Sequence, residues 1–361
     1  MQTQTTWFRL RNVTLLRNAP HSQQLDRWKA LLSLLVLLCC TGVGGLNPAN
    51  ACPKHAPSLD KSPLLVETQA LASANLVWIT LHTAQATLRP VWLADDQRLK
   101  TTGQMAQTLL EKKMAPLLLI NAGYFDPNNG QTTAHLMTEG QWRLDPKNNP
   151  RLTENESLQP FLAQIYNRSE FRVYGCKTNR PGATETRYDI ARHQDAVPSG
   201  CELQAAVGAG PMLLPTLTDA AEAFTHQVNG RLVRDPIGVG KPNARSAIGL
   251  LPNGDILLVL VSQATANGAQ PAKPGLSLPA LQALLKQRGV IKALNLDGGG
   301  SSSLWIQETK TQPSETLYAK RNAKGLPEQR PLKSWLGVFE RPTTTTVSPS
   351  QSAPKGQTSP P

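Results

Sequence analysis

Apolar positions along the chain fall into short runs separated by stretches rich in Pro, Gly, Asn and Thr. The β-branched and aromatic run ANLVWITL (Ala74 to Leu81) predicts a first strand, and ATLRPVWL after it predicts that strand's partner. Residues 52–72 carry few regular signals and lead into the domain. From about Gly103 to Lys113 the spacing of Met105, Leu109 and Leu110 predicts one apolar helix face, with Lys112 and Lys113 in the last turn. The wholly apolar APLLLI (Ala115 to Ile120) suits a buried central strand and ends abruptly in NAGYFD.

From Pro146 to Glu202 the texture turns to Asn, Arg, Thr, Pro and Gly, which predicts an excursion from the core. The core resumes with LQAAVGAGPMLL (Leu203 to Leu214). A second loop, roughly Thr216 to Asn243, leads to ARSAIGLLPNGDILLVLVS, a hairpin turning at Pro252-Asn253-Gly254. Ser277 then has the character of a helix N-cap, with Leu278, Leu281, Leu284 and Leu285 on one face and Gly289 just past the end. IKALNL predicts a strand that delivers Asp297 to a run of three glycines, and SWLGVFE a last strand closing near Glu340. The alternation predicts an α+β or mixed α/β fold, a single globular domain with a central mixed sheet flanked by helices, spanning residues 52–340. The tail over residues 341–361 lacks apolar periodicity and is expected to be disordered.

Residues 1–51 change the picture of the ends. Arg9, Arg11, Arg17, Arg27 and Lys29 precede the apolar run Ala30 to Cys40, which is too short to span a bilayer, and Ala49-Asn50-Ala51 offers a cleavage site. The segment reads as a secretory signal or, uncleaved, as an N-terminal anchor. The expected location is therefore periplasmic or extracellular, with no transmembrane segment left after processing. The chain carries a formal charge of +12; removing five of its 37 Lys/Arg and one of its 25 Asp/Glu with the signal leaves +8. The remaining cations are scattered with no basic stripe interleaved by aromatics, so nucleic acid is not an expected partner, while an anionic envelope polymer is. Of five cysteines, Cys39 and Cys40 leave with the signal and Cys52 stands alone. Cys176 and Cys201 flank an irregular loop, and in an oxidising compartment their pairing would contribute roughly 3–4 kcal/mol. No CxxC or Cys/His cluster suggests zinc.

Three apolar strands end in polar, glycine-bearing turns: NAGYFD, GAGPM and NLDGGGSSS. Small ligands bind where such strand ends converge. Gly298, Gly299 and Gly300 permit positive φ and let backbone amides approach an anion. Asp297, just before them, is a candidate general acid or base, a metal ligand, or a cap for the loop. No GK[ST] follows the glycines, no GxGxxG occurs, and Ser301 to Ser303 do not form GxSxG. Arg245 opens a strand and suits bidentate recognition of phosphate or carboxylate; the plainer reading is a surface salt bridge. Asn121 and Asp126 flank Tyr124 and Phe125, and His135 is the histidine nearest this cluster.

Taken in order, NAGYF, AVGAGPM, ARSAIG and a Leu-rich helix followed by NLDGGGSSS resemble the phosphodiester glycosidase family over about Leu71 to Glu340. The family's Asn-Gly-Gly-Phe-Phe element falls on Asn121, Ala122, Gly123, Tyr124 and Phe125, and its Gly-Gly-Pro turn on Ala209, Gly210 and Pro211. Its Arg-Thr-Ala-Ile-Gly element falls on Arg245 to Gly249, and its Asn-Leu-Asp-Gly-Gly-Gly-Ser-Ser element on Asn295 to Ser302 unchanged. Where many relatives have Gly-Arg, this chain has Ser262 and Gln263.

The resemblance implies hydrolysis of a sugar-1-phosphodiester in envelope or exopolysaccharide metabolism, with no cofactor required. Asp297 is then the expected catalytic carboxylate and Asp126 the reserve. Asn121, Gly123, Gly210, Arg245, Asn295, Gly298, Gly299, Gly300 and Ser301 are expected to bind substrate. Two competing readings stay open: a non-catalytic glycan-binding domain, and a metal-dependent phosphodiesterase with Asp126 and Asp297 as ligands. A single Mg²⁺ or Ca²⁺ held by oxygen ligands fits the latter. Oligomeric state is not readable from the sequence.

Overall fold

A computed structural model of the chain describes residues 62–266, 272–307 and 314–341. The expected signal over 1–51, Cys52, and all but the first residue of the 341–361 tail lie outside the described residues. Strands are numbered along the chain. A six-stranded sheet has the order β1 (Leu64–Ala70), β2 (Asn75–Leu81), β14 (Ile256–Ser262), β13 (Arg245–Leu250), β15 (Lys292–Asn295), β10 (Met212–Leu214). A five-stranded sheet has the order β17 (Glu315–Tyr318), β16 (Ser303–Ile306), β4 (Leu118–Asn121), β18 (Trp335–Glu340), β3 (Ala86–Val91). A second five-stranded sheet runs β6 (Gln141–Leu144), β5 (Leu136–Thr138), β9 (Cys201–Gly208), β7 (Ser169–Lys177), β8 (Thr184–Arg192). A separate hairpin pairs β11 (His226–Val228) with β12 (Arg231–Arg234). Two ten-residue helices accompany the sheets, α1 (Thr102–Glu111) and α2 (Leu278–Gln287).

The period of two along each strand explains the layering. On β14, Ile256, Leu258 and Leu260 enter a central core shared with Leu118, Ile120, Leu336 and Val338 of the second sheet and Phe171, Val173 and Val207 of the third. The alternate residues Leu257, Val259 and Val261 face the other way and pack with Leu278, Leu281 and Leu285 of α2. Strand β4 repeats the scheme: Leu119 turns from the central core toward Met105 and Leu109 of α1. Continuous apolar runs therefore mark strands buried on both faces. Each helix begins as its sequence indicates. Thr101 accepts from the Gln104 amide in a capping box, and Ser277 from that of Ala280.

The expected central mixed sheet flanked by helices is corrected: three large sheets and only two ten-residue helices make the fold sheet-dominated, and every described strand pairing is antiparallel, not mixed. The helix–strand succession of α2 and β15 reads like a parallel unit, yet β15 inserts antiparallel between β13 and β10. Strand β3 pairs with β18 rather than with β2. Leu110 is an exposed residue of α1, not part of its apolar face.

The supposed excursion from Pro146 to Glu202 supplies β7, β8 and the start of β9. Its charges hid it. Glu170 and Arg172 alternate with Phe171 and Val173 but are themselves buried, paired at 2.7 Å, with the guanidinium also donating to the carbonyls of Arg192, His193 and Asp195. Strand β1 escaped notice because most of it is exposed, so burial imposes no pattern there.

Cys176 and Cys201 form a disulfide across β7 and β9, 25 residues apart in sequence. Replacing both by serine is expected to lower unfolding stability by roughly 3 kcal/mol, read from urea unfolding with midpoint and slope both fitted, because the freed unfolded chain expands.

Candidate functional site

The ends of β4, β9, β13 and β15 meet at one place. Asn121, last residue of β4, is fully buried; its amide donates to the Asp297 carbonyl at 2.6 Å and accepts from Ser246 Oγ at 2.7 Å and the Ser303 amide at 3.1 Å. The Asp297 amide donates to the Ala122 carbonyl at 2.9 Å. Gly123 packs so tightly that a Cβ there would stand 2.7 Å from the Gly208 carbonyl. Asn121 and Gly123 thus hold the carboxylate's loop in place, and neither lines the cavity beside it.

That cavity, about 590 Å³, is lined by Tyr124, the loop from Asp235 to Asn243, Arg245, Asp297, the three glycines, Lys320 and Arg330. Asp297 sits half-buried in its wall and accepts the Gly298 amide at 2.8 Å. Burial pushes its carboxyl up to about 6, against the opposing effects of the Ser301 hydroxyl, the Arg330 guanidinium and the Gly298 amide. Tyr124 hydroxyl donates to the Gly210 carbonyl at 2.8 Å and accepts from Asn295 Nδ2 at 2.7 Å. Burial and the neighbouring Asp297 raise its pKa, so it stays a protonated donor.

Among the described residues, Asn295 Oδ1 and Ser302 Oγ are buried side-chain atoms without a hydrogen-bond partner, both within the glycine-run motif. An orphan of this kind costs about 1–3 kcal/mol.

Arg245 is 1% exposed and forms no surface salt bridge. Its guanidinium donates to the carbonyls of Leu276 at 3.2 Å, Ile237 at 3.0 Å, Gly238 at 2.6 Å and Lys241 at 2.9 Å, so it folds the 235–243 loop around itself. Its remaining donor is on Nη1, the atom 3.7 Å from where a Cβ on Gly298 would stand. Gly299 adopts φ +61° and donates to the Ala244 carbonyl at 2.9 Å. With Gly298 bound to Asp297 and Gly299 to Ala244, the expected amide cradle narrows to Gly300. A Cβ on Gly300 would stand 3.0 Å from Arg330 Cζ and collide with the Glu328 carboxylate. Gly300→Ala is therefore expected to leave stability within about 0.5 kcal/mol, because flexible side-chain ends can yield, yet to raise KM by displacing Arg330. Urea unfolding and steady-state kinetics on one preparation check both halves.

Asp126 does not join the site. It is bound to Arg151 at 2.6 Å and to the Asn128 amide at 2.8 Å. Burial raises its carboxyl, but these two partners outweigh that and hold it below its usual range. The second carboxylate in the cavity is Asp235, whose oxygens accept the Val239 amide at 2.9 and 3.1 Å. His135 is likewise elsewhere, stacked on His193 at 3.6 Å.

Sequence reasoning missed Asp235, Lys241, Lys320 and Arg330. The last two flank Glu328 at 3.2 and 3.3 Å. Gln263 steadies the Lys320 segment: its amide donates to the Ala319 carbonyl at 2.8 Å and its side chain accepts the Arg321 amide at 3.2 Å. No local motif marks these cations, because they arrive on loops far apart in sequence.

The cavity thus gathers four cations, Lys241, Arg245, Lys320 and Arg330, around one carboxylate of raised pKa. The phosphodiester glycosidase family model matches residues 117–339. The fold is similar to the catalytic domain of zebrafish N-acetylglucosamine-1-phosphodiester α-N-acetylglucosaminidase auto-inhibited by pro-peptide, with TM-score 0.50 and 17% identity over 81% of this chain and 87% of that one. A hypothetical protein from Synechocystis matches with TM-score 0.44 and 18% identity over 77% of this chain and 62% of that one. No curated protein matches the sequence.

Proposed function

This chain belongs to the phosphodiester glycosidase family, and from that premise we propose that it hydrolyses a sugar-1-phosphodiester of the N-acetylglucosamine-1-phosphodiester kind. The bond between the anomeric carbon and the bridging oxygen breaks, and its electron pair leaves with the phosphate as a phosphomonoester. Water supplies the new anomeric hydroxyl and loses a proton. The observation that carries this reading is a cavity lined by Lys241, Arg245, Lys320 and Arg330 with Asp297 in its wall.

Each residue has a task in that reaction. Lys241, Lys320 and Arg330 attract the phosphate, and Arg245 offers it one donor while bracing the loop. Asp297, ionised, stabilises positive charge growing at the anomeric carbon, an interaction strongest in the transition state. Tyr124 and Asn295 fix the turn at Gly210 beside it. Export to an envelope or exopolysaccharide is supported by the disulfide, which persists in oxidising compartments, and by the signal-like residues 1–51. Among the described residues no helix is long and apolar enough to cross a membrane.

Because Asp297 acts ionised, kcat/KM is expected to rise about tenfold per pH unit below about 6 and to level off above it. A profile that falls through that region would make the same carboxyl a general acid. Free sugar and phosphomonoester released in equal amounts from an α-N-acetylglucosamine-1-phosphodiester support the proposal. Saturable glycan binding without turnover would favour a binding domain instead.

A further inference from the structure

The hairpin β11–β12 stands clear of the body of the protein. No residue in either strand is buried. Its turn residues Asn229 and Gly230 both have positive φ, 51° and 75°, which makes a tight two-residue connection matched to strand twist. Its base is fixed: Arg234 donates to the Ala223 carbonyl at 2.8 Å and lies over the Phe161 ring, against which His226 packs edge-on. A short, stiff ribbon is thus held out into solvent.

What it presents is apolar. Val228, Leu232 and Val233 are 48%, 49% and 57% exposed. The register pairs Val228 with Arg231 and Gln227 with Leu232, so Val228 and Leu232 lie on opposite faces of the ribbon. A protein partner covers one face of such a ribbon, whereas a lipid interface surrounds an inserted tip on every side. Arg231 lies beside the turn, Arg234 at the base and Lys241 on the following loop, while Asp235 is turned inward onto the Val239 amide. Aliphatic side chains flanking the turn, with Arg231 among them and further cations toward the base, match an anionic bilayer, whose headgroups attract basic side chains and whose interior takes the branched ones. Strand β12 also runs directly into the cavity's Asp235 to Asn243 loop.

We propose that this hairpin is a membrane-docking wedge that brings the cavity mouth to an anionic lipid surface. Resting on the reading above, its consequence is that the sugar phosphodiesters served are those held at a bilayer, on lipid or on a polymer tethered there.

The test is hydrogen exchange on the full chain with vesicles of phosphatidylcholine alone or mixed equally with phosphatidylglycerol. Local protection is the readout because the apolar run from Ala30 to Cys40 would hold the chain to either vesicle. Amides of residues 226–234 are expected to exchange about tenfold more slowly on the anionic vesicles, the scale of one or two basic side chains at such a surface. The triple variant Val228→Ser, Leu232→Ser, Val233→Ser should lose that protection and keep its rate on a soluble substrate. Unchanged exchange on lipid would overturn the proposal. So would protection that grows with protein concentration alone, which assigns the hairpin to a second copy of the chain. Neither reading needs turnover, so failure of the glycosidase proposal would leave this result standing.

Discussion

Replacing Asp297 by asparagine is expected to reduce kcat/KM by about 10³–10⁴-fold while the protein stays folded. The asparagine oxygen can still accept the Gly298 amide, and the loop's main anchors, the Asn121 and Ala122 bonds, are to Asp297's backbone. What is lost is the negative charge. Stability should move the other way. The carboxyl's pKa is raised on folding, from about 3.8 to about 6, so its ionised form opposes folding once pH exceeds the unfolded value. That penalty is absent below the unfolded pKa, develops between the two values and is complete above about 6. Asp297→Asn should therefore match wild type in thermal stability near pH 4 and exceed it at pH 7. A variant that loses activity and stability together at pH 7 would show that the carboxylate holds the loop instead of serving the reaction.

Arg245→Lys should be the most damaging conservative change in the domain. Lysine keeps the charge but not the planar fork, so of the four carbonyls now served, those of Leu276, Ile237, Gly238 and Lys241, some must go unpaired. Burial already lowers the guanidinium's ionisation, and an ammonium, more strongly hydrated, would suffer more there. A loss of about 3 kcal/mol in stability is expected, with inhibition by inorganic phosphate weakened about tenfold as the 235–243 loop loosens. Unfolding curves and phosphate inhibition constants measure the two effects separately. A fully stable lysine variant with weakened phosphate inhibition would mean that Arg245 only touches the ligand.

Several elements were legible in the sequence because one local cause sets each of them. The run ILLVLV is apolar throughout since β14 is covered on both faces, and Ser277 announces α2 because the first free amides of a helix need an acceptor. The glycine run stood out because Gly299 adopts a left-handed backbone next to Ala244. The third sheet was illegible for the opposite reason. Glu170 and Arg172 neutralise one another inside it, so a buried strand wears the composition of a loop. The site divided in the same way. Asp297 and Arg245 lie in motifs, whereas Lys320 and Arg330 acquire their place from the long-range packing of Gly300, Glu328 and Gln263. Asp126 misled because it follows an apolar strand just as Asp297 does, and only the fold reveals that Arg151 claims it.

The central claim is that the bond cut lies between the anomeric carbon and oxygen, not between phosphorus and oxygen. Hydrolysis of an α-N-acetylglucosamine-1-phosphodiester in water labelled with heavy oxygen, followed by mass spectrometry of the phosphomonoester, tests it most directly. The glycosidase account predicts a phosphomonoester free of label, because water attacks carbon. Label in the phosphate would place the attack on phosphorus and contradict the account.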